Sequence, residues 1–118
     1  MAAKDELGRR GERLAEQHLE ALGYRLIERN WRCRHGEIDL VMRGGPAIVL
    51  VEVKTRTSTA FGHPFEAITP VKMGRMRRLA GLWREAHPDE RGRIRLDAVA
   101  VLAPRDGAPT IEHLAGVF

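Results

Sequence analysis

A chain of 118 residues, 43% hydrophobic and 31% charged, is long enough for one modest hydrophobic core and has the composition of a globular protein. Its single cysteine excludes an internal disulfide, and no apolar run approaches the ~20 residues of a membrane span. We therefore expect one cytoplasmic domain over residues 1–118, with no membrane partner. The formal charge of +4, with 17 arginines among 20 basic residues, fits a polyanionic partner and an arginine-rich proteome about equally well.

The first element is an amphipathic helix. Apolar residues recur at helical spacing from Leu7 to Leu22, and Gly23 follows them, which predicts a helix over residues 5–22. Glu12 lies at the edge of the apolar stripe. On spacing alone, a carboxylate at such an edge faces water more often than it faces a site.

A strand is predicted over residues 24–31, where β-branched, aromatic and polar residues alternate. A basic loop over residues 31–36 follows it. Arg32 and Arg34 in this loop are candidates to bind a nucleic-acid backbone. The equal alternative is a strand end with solvated charges.

Two buried strands follow, joined by the turn residues 43–46, and together they predict a hairpin. We expect residue 39 to pair with residue 50, and Glu37 to lie opposite Glu52. Asp39 and Glu52 are then diagonal neighbours on one face, with α-carbons roughly 7–8 Å apart. Lys54 follows Glu52 by two residues and shares that face.

Two carboxylates and an amine that converge in this way suit a hard divalent cation. Mg²⁺ or Mn²⁺ binds one or two protein carboxylates, keeps several waters and takes further ligands from substrate phosphates. Lys54 would then contact the attacking water or a phosphate oxygen. Glu37 is a second candidate acid, because another anion beside Asp39 and Glu52 increases the need for a cation.

A polar loop that includes Arg56 is predicted at the mouth of this site. Thr69 as N-cap and a proline at the first helical position predict a second helix over residues 70–86. This helix is strongly basic, which favours nucleic acid about two to one over a solvated face. Its candidate phosphate-binding residues are Lys72, Arg75 and Arg78.

Two further strands are predicted over residues 93–103 and 110–118, the second at an edge of the sheet. Asp97 lies within the first of them. We expect it to be structural, because nothing in the sequence pairs it with Asp39 or Glu52.

The D-x12-E-x-K pattern of Asp39, Glu52 and Lys54 resembles the active-site pattern of the PD-(D/E)XK nuclease superfamily, although Ile38 replaces the proline before the aspartate. Over nearly the whole chain, the sequence also resembles the YraN-like family of uncharacterised bacterial proteins. The matching residues are Gly8-x-x-Gly11-Glu12, Gly23-Tyr24, Arg29-Asn30, Gly36-Glu37-Ile38-Asp39, Val51-Glu52-Val53-Lys54, Phe61-Gly62 and Phe118.

The resemblance implies an α/β fold with a restriction-endonuclease-like αβββαβ core, in which helices flank a mixed β-sheet. It implies that Asp39 and Glu52 bind Mg²⁺ or Mn²⁺, with the Val53 carbonyl as a further ligand and Glu12 assisting from the first helix. It also reverses the preference for a solvated Glu12.

The leading hypothesis is a metal-dependent phosphodiesterase that acts on DNA as an endonuclease at branched or damaged structures. The alternative is a non-catalytic nucleic-acid-binding module on a nuclease fold. A structural ion pair between Glu52 and Lys54 is a third interpretation, but it does not use Asp39. RNA as the substrate and a homodimer that cuts two strands both stay open.

Overall fold

The computed structural model describes residues 3–60 and 62–117, with only the backbone described for residues 3–5 and 67. Phe61 and Phe118, two residues of the family resemblance, lie outside the described residues. The elements in chain order are helix α1 (Ala3–Ala21), strands β1 (Arg25–Cys33), β2 (Gly36–Gly44) and β3 (Ala47–Arg56), a 3₁₀ turn (Pro64–Ala67), helix α2 (Pro70–Ala86), and strands β4 (Arg93–Leu102) and β5 (Thr110–Leu114).

The strands form one five-stranded sheet in the order β1-β2-β3-β4-β5. β3 and β4 are parallel, and the other neighbouring pairs are antiparallel. This mixed sheet with two helices confirms the predicted αβββαβ arrangement. α2 makes the connection from β3 to β4, because parallel neighbours need a long crossover.

The two helices cover opposite faces of the sheet, so β3 is buried on both sides. Ala15 and Leu19 of α1 pack with Val49 and Val51 of β3. On the other face, an apolar cluster joins α2 to the sheet, and we call it the α2 core; its members are Ile38, Val41, Ile48, Leu50, Met76, Leu79, Ala80, Trp83 and Leu96. Within the described residues, no helix is both long and apolar enough to cross a membrane.

Close approach of α1 to β3 depends on Gly11. A Cβ atom at Gly11 would collide with the side chain of Thr55, near the end of β3, whereas one at Gly8 would meet nothing within 4 Å. The helix therefore contacts β3 directly beside Glu52 and Lys54. A larger residue at position 11 would push α1, and with it Glu12, away from this end of the strand.

The predicted register of the β2–β3 hairpin is wrong by two residues. Val41 pairs with Leu50, and Gly44 pairs with Ala47, so Gly45 and Pro46 form the turn. Gly45 adopts the left-handed conformation, with φ 59°, that a tight hairpin turn requires. Gly44 stays in the strand, where a Cβ atom would come within 3.1–3.4 Å of the ring of Tyr24.

From Leu40 to Gly44, the corrected register keeps the same residues on each face, because a shift by two residues preserves the alternation of side chains. Continued by one residue, it places Asp39 directly opposite Glu52 and not diagonal to it. Glu37 is no longer opposite Glu52. The two carboxylates expected to bind a metal both line the cleft that also contains Lys54.

The prediction of a basic loop over residues 31–36 is also wrong. β1 continues to Cys33, so the turn consists of Arg34 and His35 alone. The strand is longer because Trp31 packs against the α2 core. Apolar contact therefore extends β1 to Cys33, whereas the sequence predicted a strand that ends at residue 31.

Candidate active site

Asp39 is the centre of the candidate site. Its side chain is nearly buried, with 8% of the residue exposed, and its Oδ2 accepts a hydrogen bond of 2.8 Å from the backbone N–H of Val53. The backbone pairing of β2 with β3 extends only to Leu40 and Val51. The Asp39 carboxylate thus takes an N–H that the next rung of the ladder would use, and the strands separate beside it.

This separation also affects the Val53 carbonyl. The N–H and C=O of a strand residue point to the same side of the strand. Because the Val53 N–H meets Asp39, its carbonyl oxygen faces the same gap. The predicted third ligand therefore lies on the correct side of β3 for an ion held by Asp39.

Glu52 and Lys54 lie on β3 next to this gap. Lys54 Nζ is 3.2 Å from Glu52 Oε1, and each side chain is 21% exposed. This ion pair supplies the charged partner that a carboxylate in a buried strand needs. Among the residues that the structure describes, no basic side chain forms an ion pair with Asp39 itself.

Electrostatic repulsion dominates around Asp39. Burial raises the pKa of Asp39 most, and the nearby Glu52 carboxylate adds to the rise, which reaches about 8. The hydrogen bond from Val53 opposes the rise, while Glu12 and Glu37 add to it further. Three other carboxylates thus act on Asp39, two of them paired with a basic residue, Glu52 with Lys54 and Glu37 with Arg32, and an added cation would remove the repulsion that is left.

On the α1 side, the site opens into a cleft of about 470 Å³ that includes Glu12, Val53, Lys54 and Arg56 in its walls. Glu12, which is half-buried, lines this cleft together with Asp39 and Glu52. Burial raises its pKa, a hydrogen bond from Asn30 opposes the rise, and the carboxylates of Glu37 and Glu52 add to it.

On the α2 side, a second cleft of about 300 Å³ joins Asp39, Glu52 and Lys54 to Lys72 and Arg75. Thr69 Oγ1 accepts the N–H of Lys72 at 3.3 Å, which confirms the predicted helix cap. Burial lowers the pKa of Lys72, and the adjacent amine of Lys54 lowers it further. Lys72 therefore lies beside Lys54 in the candidate site. The sequence had indicated only that it belongs to a basic helix.

The remaining candidate phosphate-binding residues differ in whether their guanidinium groups already have hydrogen-bond partners. Arg32 donates to Glu37 at 2.9 Å, so its guanidinium already has a partner. Arg56 donates to the Thr55 carbonyl at 3.0 Å and lines the α1-side cleft. Arg34, at the β1–β2 turn, and Arg78, on α2, are exposed to solvent.

The donor set suits a hard cation. Across residues 3–60 and 62–117, no group of three or more histidine, cysteine, aspartate or glutamate side chains could hold a metal ion. What Asp39, Glu52 and Val53 offer is oxygen alone: two carboxylates and a carbonyl. Such a set fits Mg²⁺ or Mn²⁺, whose other ligands come from water and phosphate, and does not fit a structural zinc site.

Comparison with known proteins places the chain in a family. Residues 11–101 match the uncharacterised protein family UPF0102. The chain belongs to this family. This match confirms the resemblance to the YraN-like family, and the matching segment of the UPF0102 chain contains every candidate site residue from Glu12 to Arg78.

Relatives in this family are similar over almost their full lengths. A UPF0102 protein of Clavibacter michiganensis is 59% identical over 95% of both chains. UPF0102 proteins of Beutenbergia cavernae and of an Arthrobacter species are 55% and 52% identical, each over 99% of both chains.

Two features of this UPF0102 site were not predicted from the sequence. The proximity of Lys72 to Lys54 depends on how α2 docks on the sheet, which no local pattern shows. The second feature is the contact of Asn30 with Glu12. An asparagine near a strand end, followed by a change of hydrophobic periodicity, was the available signal for it.

Proposed function

We propose that this protein is a Mg²⁺- or Mn²⁺-dependent phosphodiesterase that cuts DNA as an endonuclease, with branched or damaged structures as its preferred substrates. The observation that supports it most is Asp39: a nearly buried carboxylate beside Glu52, with a raised pKa, at the junction of two clefts. Membership in the PD-(D/E)XK superfamily is part of this proposal.

In this mechanism, Asp39 and Glu52 hold the ion together with the Val53 carbonyl. When bound, the ion supplies a Lewis acid for a phosphate oxygen and lowers the pKa of a coordinated water. The role of Glu12 is to add negative charge on the α1 side of the ion.

Two lysines act on the reacting phosphate. Lys54 lies beside Glu52, where its amine contacts the attacking water or a phosphate oxygen and stabilises the charge that develops there. Lys72 approaches the same position from α2, so both amines meet one anionic group. Basic side chains outside the two clefts bind flanking phosphates and supply affinity without sequence preference.

The direct test is cleavage of labelled substrates by the purified protein. Duplex, flap and four-way-junction DNA and single-stranded RNA are incubated with Mn²⁺ and, separately, with EDTA. We expect a product that requires Mn²⁺, is formed most rapidly from branched DNA, and is absent with Asp39→Asn, which controls for a contaminating nuclease. Binding without any metal-dependent product would favour the non-catalytic nucleic-acid-binding module.

A further inference from the structure

Asn30 has an unusual backbone conformation next to the candidate site. Within the described part of the chain, it is the one non-glycine residue with a positive φ, 50°. Asparagine tolerates this left-handed region better than most residues. Because Arg29 pairs with Leu40 and Trp31 pairs with Ile38, Asn30 lies opposite Asp39 in the sheet.

The left-handed conformation changes the direction of the Asn30 side chain. In a regular strand, Arg29 and Asn30 would point to opposite faces. Both contact α1 instead: Arg29 donates to Glu16 at 2.6 and 2.9 Å, and Asn30 Nδ2 donates to Glu12 Oε1 at 2.8 Å. The alternation is broken at the residue that faces Asp39.

β2 shows a matching change across from it. Leu40 packs in the core beneath α1, whereas Ile38 packs in the α2 core, although two residues separated by one normally share a face. The change of face therefore occurs at Asp39 on β2 and at Asn30 on β1. Trp31 follows it and packs against the α2 core.

The two contacts between β1 and α1 differ in their electrostatic effect. The guanidinium of Arg29 neutralises Glu16, which lines no cleft that contains Asp39. The amide of Asn30 holds one oxygen of Glu12 but carries no charge. Glu12 thus has an uncharged partner in the wall of the α1-side cleft, where its carboxylate could meet a cation.

We propose that Asn30 is a positioning residue of the metal site. It orients the Glu12 carboxylate toward the ion and leaves the charge of that carboxylate available. This inference rests on the proposed metal-dependent function, because a positioned acid has this role only if a cation binds. Partners of this kind, which orient the groups around a metal, typically change metal affinity by 10–100-fold when they are removed.

The test uses Asn30→Gly, because glycine keeps the left-handed backbone and removes only the amide. Titration calorimetry of the full chain with Mn²⁺ alone measures the affinity, and melting in EDTA measures the fold. We expect about tenfold weaker Mn²⁺ binding and little change in melting temperature. A purely structural contact would lower the melting temperature and leave the Mn²⁺ affinity unchanged.

Arg29→Gln is the matched control, since it removes the neighbouring contact between the same strand and the same helix. It should leave the Mn²⁺ affinity at the wild-type value. Glu12→Gln should weaken Mn²⁺ binding, and Asn30→Gly added to it should have no further effect, because Asn30 acts through Glu12.

The outcomes separate this inference from the proposed function. Wild-type Mn²⁺ affinity in Asn30→Gly, or additive losses in the double variant, would overturn the role of Asn30 while the metal site stands. A wild-type protein that binds no Mn²⁺ would overturn the proposed site, and the role of Asn30 with it.

Discussion

Two buried aspartates, on the two strands that flank β3 in this sheet, have opposite surroundings. Asp97 on β4 is fully buried and accepts hydrogen bonds from Arg95 Nε and Nη2, each at 2.9 Å, from His113 Nε2 at 2.7 Å and from the Gly116 N–H at 2.9 Å. Asp39 on β2 accepts the Val53 N–H and is surrounded by carboxylates. Arg95 neutralises Asp97, whereas no basic side chain in the described part of the chain forms an ion pair with Asp39.

The pKa values follow this difference. Burial alone would raise the pKa of Asp97, but the hydrogen bonds from Arg95, Gly116 and His113 outweigh it, so its pKa is lowered. At Asp39, burial and Glu52 together raise the pKa. Asp97, with its set of donors, joins β4 to Gly116 near the end of the chain. Asp39, which accepts the Val53 N–H, is suited to a cation from outside the protein.

Isosteric loss of charge should distinguish the two aspartates most strongly. Asp97→Asn removes one partner of a buried ion pair and should reduce the free energy of unfolding by about 3–5 kcal/mol. Asp39→Asn in EDTA should cause no loss, because it relieves repulsion. Urea denaturation of both variants measures this, and equal destabilisation would show that Asp39 is as structural as Asp97.

Lys54→Ala tests the basic residue that forms an ion pair with Glu52 beside Asp39. Cleavage should decrease about 100–1000-fold, because the amine stabilises charge in the transition state. Stabilisation by Mn²⁺ should persist, since the amine is not a metal ligand. Cleavage by the variant at the wild-type rate would remove Lys54 from the mechanism.

The pH dependence should have opposite signs at the two sites. The pKa of Asp39 is about 8 in the folded protein against 3.8 for the free side chain, so the folded state binds more protons between these values. Without metal, the free energy of unfolding should therefore decrease as pH rises from about 4 to 8, by less than about 1.4 kcal/mol per pH unit. For Asp97, the lowered pKa means that its stabilisation is present above the unfolded pKa and is lost in acid.

Urea denaturation in EDTA at several pH values, with wild type and Asp39→Asn compared, measures the Asp39 contribution. Asp39→Asn should remove the decrease between pH 4 and pH 8. Parallel curves for the two proteins would mean that Asp39 is ionised at ordinary pH and does not need a cation.

Arg75→Gln and Arg78→Gln test whether the basic face of α2 extends the site. Each lost phosphate contact should reduce the slope of log affinity against log salt by about one unit, equally for all sequences. Arg77→Gln is the control, because Arg77 lines a separate cavity with Arg93 at the start of β4. A slope that does not change, or that changes equally with Arg77→Gln, would place the nucleic acid elsewhere.

Local signals predicted most of this fold. Thr69 and Pro70 mark the start of α2, and Thr69 caps it as expected. The register of the β2–β3 hairpin could not be predicted, because Gly44 and Gly45 both suit a turn and the choice depends on packing against Tyr24. The short 3₁₀ turn, in a segment predicted to be a loop, was missed.

The residues of the candidate site also divide into those that the sequence predicted and those that it did not. Strand alternation and the D-x12-E-x-K spacing were enough to predict Asp39, Glu52 and Lys54, because charged residues are uncommon in buried strands. Asn30 and Lys72 depend on a left-handed backbone and on the docking of a helix. Neither property is local to a sequence pattern.

The central claim is that Asp39 belongs to a site for a divalent cation, and melting with EDTA and with a series of Mn²⁺ concentrations tests it without a substrate. At a hundred times its dissociation constant, Mn²⁺ should stabilise the wild-type protein by about 2.7 kcal/mol, a shift of several degrees. Asp39→Asn should melt no lower than wild type in EDTA and should gain much less from Mn²⁺. Equal stabilisation of the two proteins by Mn²⁺ would contradict the claim.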